Sequence, residues 1–294
     1  MEILHVESVW KIVIRSLLKK RLRKAFVSCG FTALRFFFLP QYRALLFPKR
    51  IPVSLADHPV DSRIPFNPRR VNIYLDFVAF WIRIVGFLFA HYGKNRTKPA
   101  FEFVRSIEKL YVFAAEVYRK NFSTTRRPRY LKGIRFFLIH MADPHLMCIP
   151  SLHVMIAIRV YTAFRQILVS MNDQNRYAAE LESVKRQALN ITQAILYVKQ
   201  HSVNCVSAAM YAMSRFDPDL FPPEEAEIFV KGLFSRGGGF PEKDAVKEED
   251  IPEIRGHIAG LYRRFVEQGK NAGHWTEPLL DFLGSLPRVG ERGH

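Results

Sequence analysis

The stretch Cys148-Ile-Pro-Ser-Leu-His153 opens an apolar segment of helical length, and a second histidine, His201, ends the stretch Val198-Lys-Gln-His201. Proline is favoured in the first turn of a helix, so Pro150 predicts a helix that starts near residue 150 and carries His153 close to its beginning. Both histidines stand among apolar residues. We therefore expect the fold to be built around this pair and to bury it.

Helical patterns extend outward from the pair in both directions. We predict helices over 8–27, 71–92, 100–120, 133–142, 150–171, 178–214 (bent near its middle), 223–235, 251–268 and 275–285. Residues 48–70 contain five prolines and predict an extended linker. The sequence thus indicates an all-α helical bundle in three parts, with a basic helical region over 1–54, the bundle over 55–214 and a soluble helical tail over 215–294.

The charge of the chain points to anionic partners. The net charge is +17, and residues 1–50 hold 11 Lys and Arg against Glu2 and Glu7. Such a charge favours nucleic acid, anionic lipid or a phosphorylated substrate. Aromatic residues cluster in the apolar segments instead of alternating with basic residues, so we expect no nucleic-acid partner. Oligomeric state is left open.

Two interpretations of the apolar segments stay open, a membrane bundle with a polar interior and a soluble bundle with a large core. Val71–Tyr92 has 17 apolar residues in 22, enough to cross a bilayer, and its charged residues Asp76 and Arg83 share one helical face. Residues 8–27 form a basic amphipathic pattern that fits either an anionic leaflet or the protein body. We favour the membrane and expect a multi-pass protein of the inner or plasma membrane with a cytoplasmic N-terminus.

Three short motifs occur in one order along the bundle. They are Lys120-x6-Arg127-Pro128, Pro150-Ser151-Leu152-His153 and Lys199-Gln200-His201. Together they resemble the signature of the type 2 phosphatidic acid phosphatase superfamily, which reads Lys-x6-Arg-Pro, Pro-Ser-x-His and a later His-x3-Asp. The Lys-Gln-His form is most similar to the branch of inositol phosphorylceramide and sphingomyelin synthases. Over residues 55–214 the resemblance implies the helical, haloperoxidase-like architecture of that superfamily, embedded in a membrane.

The resemblance implies metal-independent hydrolysis of a phosphoric ester, or head-group transfer, on an anionic lipid. His201 would be the nucleophile that forms a phosphohistidine, and His153 would act as general acid and then base. The residues that bind the phosphate would be Lys120, Arg127, Ser151, Leu152 and Lys199. Such chemistry needs cations and free N–H groups around the phosphate oxygens, which lysine, arginine and a helix N-terminus supply. No cofactor or metal is implied.

One departure from the family pattern affects activity. The family places an aspartate four residues after the nucleophile, and this chain has Cys205 there, with Asn204 beside it. A buried thiol is a weak acceptor and is normally neutral. The arginine expected before the third motif is also replaced, by Ile195, although Lys199 can supply charge. The alternative therefore stays open that the chain is a catalytically impaired or inactive relative that binds anionic lipid or phosphate.

Other polar residues receive structural interpretations. The run His140-Met-Ala-Asp143-Pro-His145 holds residue types that ligate metals, yet it precedes the motif helix in a predicted loop, and we expect no metal there. His257 and His274 are predicted to be surface residues. Cys29, Cys148 and Cys205 lack zinc-site spacing and predict free buried thiols.

Overall fold

The computed structural model describes residues 7–47, 51–93, 97–128, 130, 132, 134–235 and 245–290. The chain is 72% helix and 3% strand, which confirms the prediction of an all-α protein. The helices are α1 (Val9–Leu18), α2 (Lys20–Ala33), α3 (Leu39–Leu46), α4 (Val71–His91), α5 (Thr97–Tyr118), α6 (Ile134–Ala142), α7 (Leu152–Ser170), α8 (Ala178–Tyr197), α9 (Val203–Phe216), α10 (Pro223–Gly232), α11 (Ile251–Lys270) and α12 (Glu277–Ser285). A π-helical turn, Leu34–Phe38, joins α2 to α3.

Two predicted helices are broken in the structure. The segment 178–214 forms α8 and α9, separated by residues 198–202, in which Lys199 has a left-handed φ of 55°. Ser202 ends this turn because its side chain accepts a hydrogen bond from the N–H of Asn204 at 3.2 Å and caps α9. The segment 8–27 likewise divides at Lys19, whose backbone is extended. The helical spacing of apolar residues continues through both breaks, so the sequence pattern does not show where each helix ends.

Helix α7 is the central element of the bundle. Its positions from Leu152 to Phe164 are all buried, and it packs against α4, α5, α8 and α9. The N-terminal helices attach to the outside of this bundle, α2 along α5 and α1 along α4. Gly86 makes the second contact feasible, because a Cβ there would lie 2.4 Å from Cδ1 of Ile12. Helix α11 of the tail packs along α9, and the buried apolar residues form one continuous cluster.

Two helical segments of the described part, Pro68–His91 and Leu152–Ser170, are long and apolar enough to cross a membrane. Length and composition are equally met by the core helix of a soluble protein, and 61% and 83% of their apolar windows are buried inside this protein. The charged residues of α4 also point inward, where Arg83 pairs with Asp76 and Gln187 donates to Asp76 at 2.8 Å. Membrane embedding and multi-pass topology therefore stay predictions.

A small sheet fixes the chain beside the central helix. Strand β1 (Val53–Leu55) runs parallel to β2 (Phe122–Thr124), with Val53 opposite Phe122. Residues 287–289 pair with the other edge of β1, since Leu55 N–H donates to the carbonyl of Pro287 at 2.8 Å. Beyond β2, Ser123 is bridged to Met147. The sheet thus brings the segment after β2, with Arg127, next to the segment that leads into α7.

Candidate active site

The structure brings His153 and His201 together. His153 lies in the first turn of α7, and His201 lies in the turn between α8 and α9. The Nδ1 atom of His153 is 3.4 Å from the Nε2 atom of His201, and the ring centroids are 5.3 Å apart. Both side chains are buried, with 8% and 7% of their surface exposed. Two imidazoles 48 residues apart in sequence therefore share one enclosed space.

The start of α7 is held by its neighbours and directed at His201. The Ile149–Pro150 peptide bond is cis, the carbonyl of Pro150 accepts from the Tyr118 hydroxyl at 2.5 Å, and the N–H of Ile149 donates to Ser123 Oγ at 2.7 Å. Ser151 is the N-cap residue, yet its side chain makes no capping hydrogen bond. Its Oγ lies 3.4 Å from Nε2 of His201 instead. The N–H groups of the first turn of α7, which have no partners within the helix, border the same space.

Aromatic side chains form the walls around His153. The ring of Tyr74 stacks on it with centroids 4.8 Å apart, and the ring of Phe77 lies 4.4 Å away. Both aromatics come from α4, one turn apart. They enclose the imidazole in an apolar environment that disfavours its charged form. Neither residue was predicted to belong to the site, although their spacing of three residues on an apolar helix places them on one face.

Burial sets the charge of the two imidazoles. It lowers the pKa of His153 to about 4, and the positive charge of Arg127 adds to the effect. For His201, burial is again the largest cause, followed by His153 and Arg127, and the pKa lies well below its usual value. The backbone carbonyl of Cys148 opposes this shift without reversing it. Both rings are therefore neutral at pH 7, the state in which an imidazole nitrogen can act as a nucleophile.

Of the three predicted cations, Arg127 is the one whose charge reaches both imidazoles. Its guanidinium donates to the carbonyl of Asp143 at 3.2 Å and pairs with the carboxylate of Asp143 at 3.4 Å. Lys199 lies elsewhere, with its ammonium donating to the carbonyls of Asp61 and Ile64, each at 2.5 Å. Lys120 is exposed at the end of α5 and makes no side-chain hydrogen bond or ion pair within the described residues. Leu152 lines the cavity beside the imidazoles.

Cys205 does not stand one helical turn from His201, because His201 precedes the N-cap of α9. Cys205 is fully buried in the first turn of α9, and burial raises the pKa of its thiol, so the thiol is neutral. The Nδ1 atom of His201 is buried and forms no hydrogen bond within the part of the chain that the structure describes. Asn204 is directed away from it, donating to the carbonyl of Ala56 at 3.1 Å. No described side chain takes the orienting role of the expected aspartate.

Two other histidines have surroundings that the sequence did not predict. His145 belongs to the site, since its ring centroid lies 6.0 Å from that of His201 and its Nε2 atom lies 2.7 Å from Thr125 Oγ1. The side chain of His140 lies outside the described residues, and no metal-binding group of three is found among those described. His257 was predicted at the surface, but it is half-buried, stacked on His58 with centroids 3.7 Å apart and bonded to Asn204.

The cavity between these residues is small and closed. It has a volume of about 10 Å3 and is lined by His145, His153 and His201 together with Phe37 and Gln41 from the N-terminal region. That volume is roughly one water molecule. Gln41 is completely buried, and its Oε1 atom accepts from the N–H of Leu146 at 2.9 Å. A phosphoryl group is larger than this volume, so it fits only after side chains that line the cavity move apart.

Comparison of the chain with protein-family models, curated proteins and solved structures gave no match. The membership suggested by the three motifs stays a prediction. The function is therefore inferred from the geometry of His153, His201 and the residues around them.

Proposed function

We propose that the protein is a metal-independent phosphatase or phosphotransferase that acts on a lipid phosphate through a phosphohistidine intermediate. The observation that carries the proposal is the 3.4 Å approach of two buried, neutral imidazoles beside the start of α7. Arg127 supplies the positive charge, and the first-turn N–H groups supply donors for the phosphate oxygens. The net charge of +17 fits an anionic substrate.

Each side chain has a definite task in the proposed reaction. Nε2 of His201 attacks phosphorus while the bond from phosphorus to the leaving oxygen breaks. His153 takes up a proton when the phosphate anion binds beside it, because a nearby negative charge favours the imidazolium, and it donates that proton to the leaving oxygen. Water or an alcohol then attacks the phosphohistidine, giving its proton to the neutral His153 while the bond from phosphorus to His201 breaks. Arg127 stabilises the negative charge of the non-bridging oxygens in both steps. Ser151 Oγ lies 3.4 Å from Nε2 of His201, where its hydroxyl can donate to an oxygen of the phosphate under attack.

A second candidate is a non-catalytic relative that binds anionic lipid or phosphate. The neutral Cys205 thiol and the unpartnered Nδ1 atom of His201 favour it within the described residues. Loss of the orienting carboxylate in hydrolytic triads lowers turnover by about four orders of magnitude. Binding through Arg127 and the start of α7 needs no such orienter.

The test is phosphate release in EDTA from phosphatidic acid and from a small aryl phosphate. We expect release by the purified wild-type protein and a loss of at least 100-fold in His201→Ala and His153→Ala. His274→Ala is the matched control, because this histidine is about half exposed in the tail. Unfolding temperatures of all variants show whether they fold. Equal phosphate release from wild type and His201→Ala rejects catalysis and leaves the binding function.

We place the reaction at a membrane, with α4 and α7 as the segments that could cross it. Washing cell membranes with alkaline carbonate separates the arrangements. Retention in the pellet supports the predicted multi-pass topology, whereas release into the supernatant supports attachment at the surface. Recovery in the soluble fraction before the wash rejects the membrane location.

A further inference from the structure

The N-terminal helices carry most of the exposed apolar surface of the described protein. Of 21 exposed large hydrophobic residues, 13 lie between Trp10 and Phe47. The described N-terminal residues 7–47 also hold nine Lys and Arg against the single acidic residue Glu7. Apolar side chains mixed with positive charge are typical of helices that lie on anionic membranes. A patch of this size is uncommon on a protein surface that faces water alone.

A large groove opens within this surface. Its volume is about 1160 Å3, above the roughly 300–1000 Å3 of sites for drug-sized ligands. Phe36, Leu39 and Leu45 form one wall, on the π-helical turn and α3. Tyr118 and Phe122 belong to the opposite wall, at the end of α5 and on β2. Such dimensions and lining fit a long apolar chain better than a compact polar molecule.

Three guanidinium groups stand along the groove, from Arg35, Arg43 and Arg119. Those of Arg35 and Arg119 lie 5.3 and 5.0 Å from the ring centroid of Phe36. Within the described residues no carboxylate lies within 4 Å of any of the three. Arginine recognises phosphate through its planar set of donors. The charge of the groove is therefore complementary to an anionic head group.

The groove and the imidazole cavity are neighbours separated by one thin wall. Met147 lines both spaces. On the π-helical turn, Phe36 faces the groove while the next residue, Phe37, faces the cavity. Gln41 continues this wall on α3. An amphiphile in the groove thus lies beside the π-helical turn and α3, the two elements that carry the cavity residues Phe37 and Gln41.

We propose that the groove binds an acyl chain of an anionic lipid taken from a membrane surface, with the lipid phosphate held by the three arginines next to the imidazole cavity. The identity of the head group as a phosphate rests on the proposed function. Most residues that line the groove precede residue 55 and so lie outside the segment that carries the three motifs. The others lie at the end of α5, on β2 and shortly before α7.

The first test measures binding of monomeric alkyl phosphates. Octyl phosphate, decyl phosphate and inorganic phosphate are titrated by calorimetry into the full chain carrying His201→Ala, which prevents turnover, in an amphipathic polymer without detergent. Each buried methylene group tightens binding about three- to fourfold, so we expect decyl phosphate to bind roughly tenfold tighter than octyl phosphate. We expect inorganic phosphate to bind weakest. Equal affinities for the two alkyl phosphates overturn the proposal.

Neighbouring residues provide matched variants. Leu45 and Leu46 are both exposed leucines of α3, and of the two only Leu45 lines the groove. We expect Leu45→Gln to weaken decyl phosphate binding about fivefold and Leu46→Gln to change it less than twofold. Arg43→Gln and Arg23→Gln remove the same charge, and only the first lies at the groove. Equal effects within either pair overturn the proposal.

Two further experiments distinguish binding in the groove from electrostatic attraction to a membrane surface and from catalysis. Sedimentation with vesicles of phosphatidylcholine, with and without phosphatidic acid, tests the membrane as the source. Binding to the acidic vesicles without binding to decyl phosphate rejects the groove. In the wild-type chain, tenfold preference for decyl phosphate without phosphate release supports the groove and rejects the proposed function. Phosphate release at equal efficiency from aryl and alkyl phosphates supports the function and rejects the groove.

Discussion

The imidazole cavity and the groove of the N-terminal helices are adjacent but physically opposite. The cavity holds about 10 Å3 and most residues that line it are buried, whereas the groove holds about 1160 Å3 and about half of the residues that line it are exposed. Burial in the cavity keeps His153 and His201 neutral. Exposure at the groove leaves apolar and basic side chains available to a partner. The molecule therefore has two separate regions, a cavity that excludes water and a groove that admits an amphiphile.

The two regions also differ in how they are supported. Helices α7 and α9 lie in the centre of the bundle, whereas α3 contacts mainly the π-helical turn that precedes it. Movement that enlarges the cavity is therefore expected from the side of Phe37 and Gln41. A π-helical turn at this point is consistent with such a role, because π-turns inside helices often mark functional sites.

The largest expected difference between the regions is in stability. Ile158 of α7 is completely buried, and replacing it with alanine leaves a cavity. We expect Ile158→Ala to lower the free energy of unfolding by about 2–5 kcal/mol. Leu46→Ala removes a similar side chain from a position that is 74% exposed, and we expect a change within about 0.5 kcal/mol. Denaturant unfolding followed by circular dichroism measures both.

Comparable losses in the two variants would contradict the contrast. They would mean that α3 is covered by packing that the described residues do not show. A third variant, Leu45→Ala, repeats the measurement at a groove position on the same helix.

A smaller effect, on the rate of phosphate release, is expected at position 205, where the family pattern has an aspartate. Cys205→Asp places a carboxylate in the first turn of α9, where the helix dipole favours a negative charge. The backbone of residue 205 already contacts the site, since its carbonyl accepts from the N–H of Ser151 at 3.4 Å. We expect phosphate release to rise about tenfold, with no gain in the isosteric control Cys205→Ser. A steady-state assay in EDTA measures this, and no gain in either variant would favour the binding function.

A third contrast is a dependence of stability on pH. Burial is the main cause that lowers the pKa of His153 and of His257 to about 4, from an ordinary value of about 6.5. Between these values the unfolded chain binds more protons than the folded one, so stability rises with pH. The contribution is complete above about pH 6.5 and is lost as the pH falls toward 4. Residues 7–47 contain no histidine, so the loss belongs to the bundle and tail.

Unfolding temperatures between about pH 7 and pH 4 measure this loss. His257→Gln is expected to make the decline shallower, because one of the buried imidazoles with a lowered pKa is removed. His274→Gln, at an exposed position, is expected to leave the decline unchanged. An identical decline in wild type and His257→Gln would show that other groups cause it.

Much of the fold followed from the sequence because its helices are long and amphipathic. The predicted segments 71–92, 251–268 and 275–285 match α4, α11 and α12 within two residues at each end. The shared helical face of Asp76 and Arg83 also followed from their spacing of seven residues, and in the structure the two side chains form an ion pair. These features depend on the spacing of apolar and charged residues along a helix, which can be read directly from the sequence.

The details of the site depend on contacts that periodicity does not contain. Lys199 was placed at the phosphate by its position in a motif, but its left-handed backbone directs the ammonium to the carbonyls of Asp61 and Ile64. Cys205 was placed at the orienting position by its spacing of four residues from His201, but α9 starts only after His201. His145 and His257 could not be placed, because their partners lie on distant segments of the chain.

Strand β1 has a consequence for the order in which the protein is completed. One of its edges pairs with β2, and the other pairs with residues 287–289, where Val289 N–H donates to the carbonyl of Val53 at 2.9 Å. During translation, that second edge stays unpaired until residues 287–289 have left the ribosome. The chain runs from β1 to Asp61, which accepts from the N–H of Val203 at the start of α9, so the strand completed last is close in sequence to a contact that holds the turn of His201.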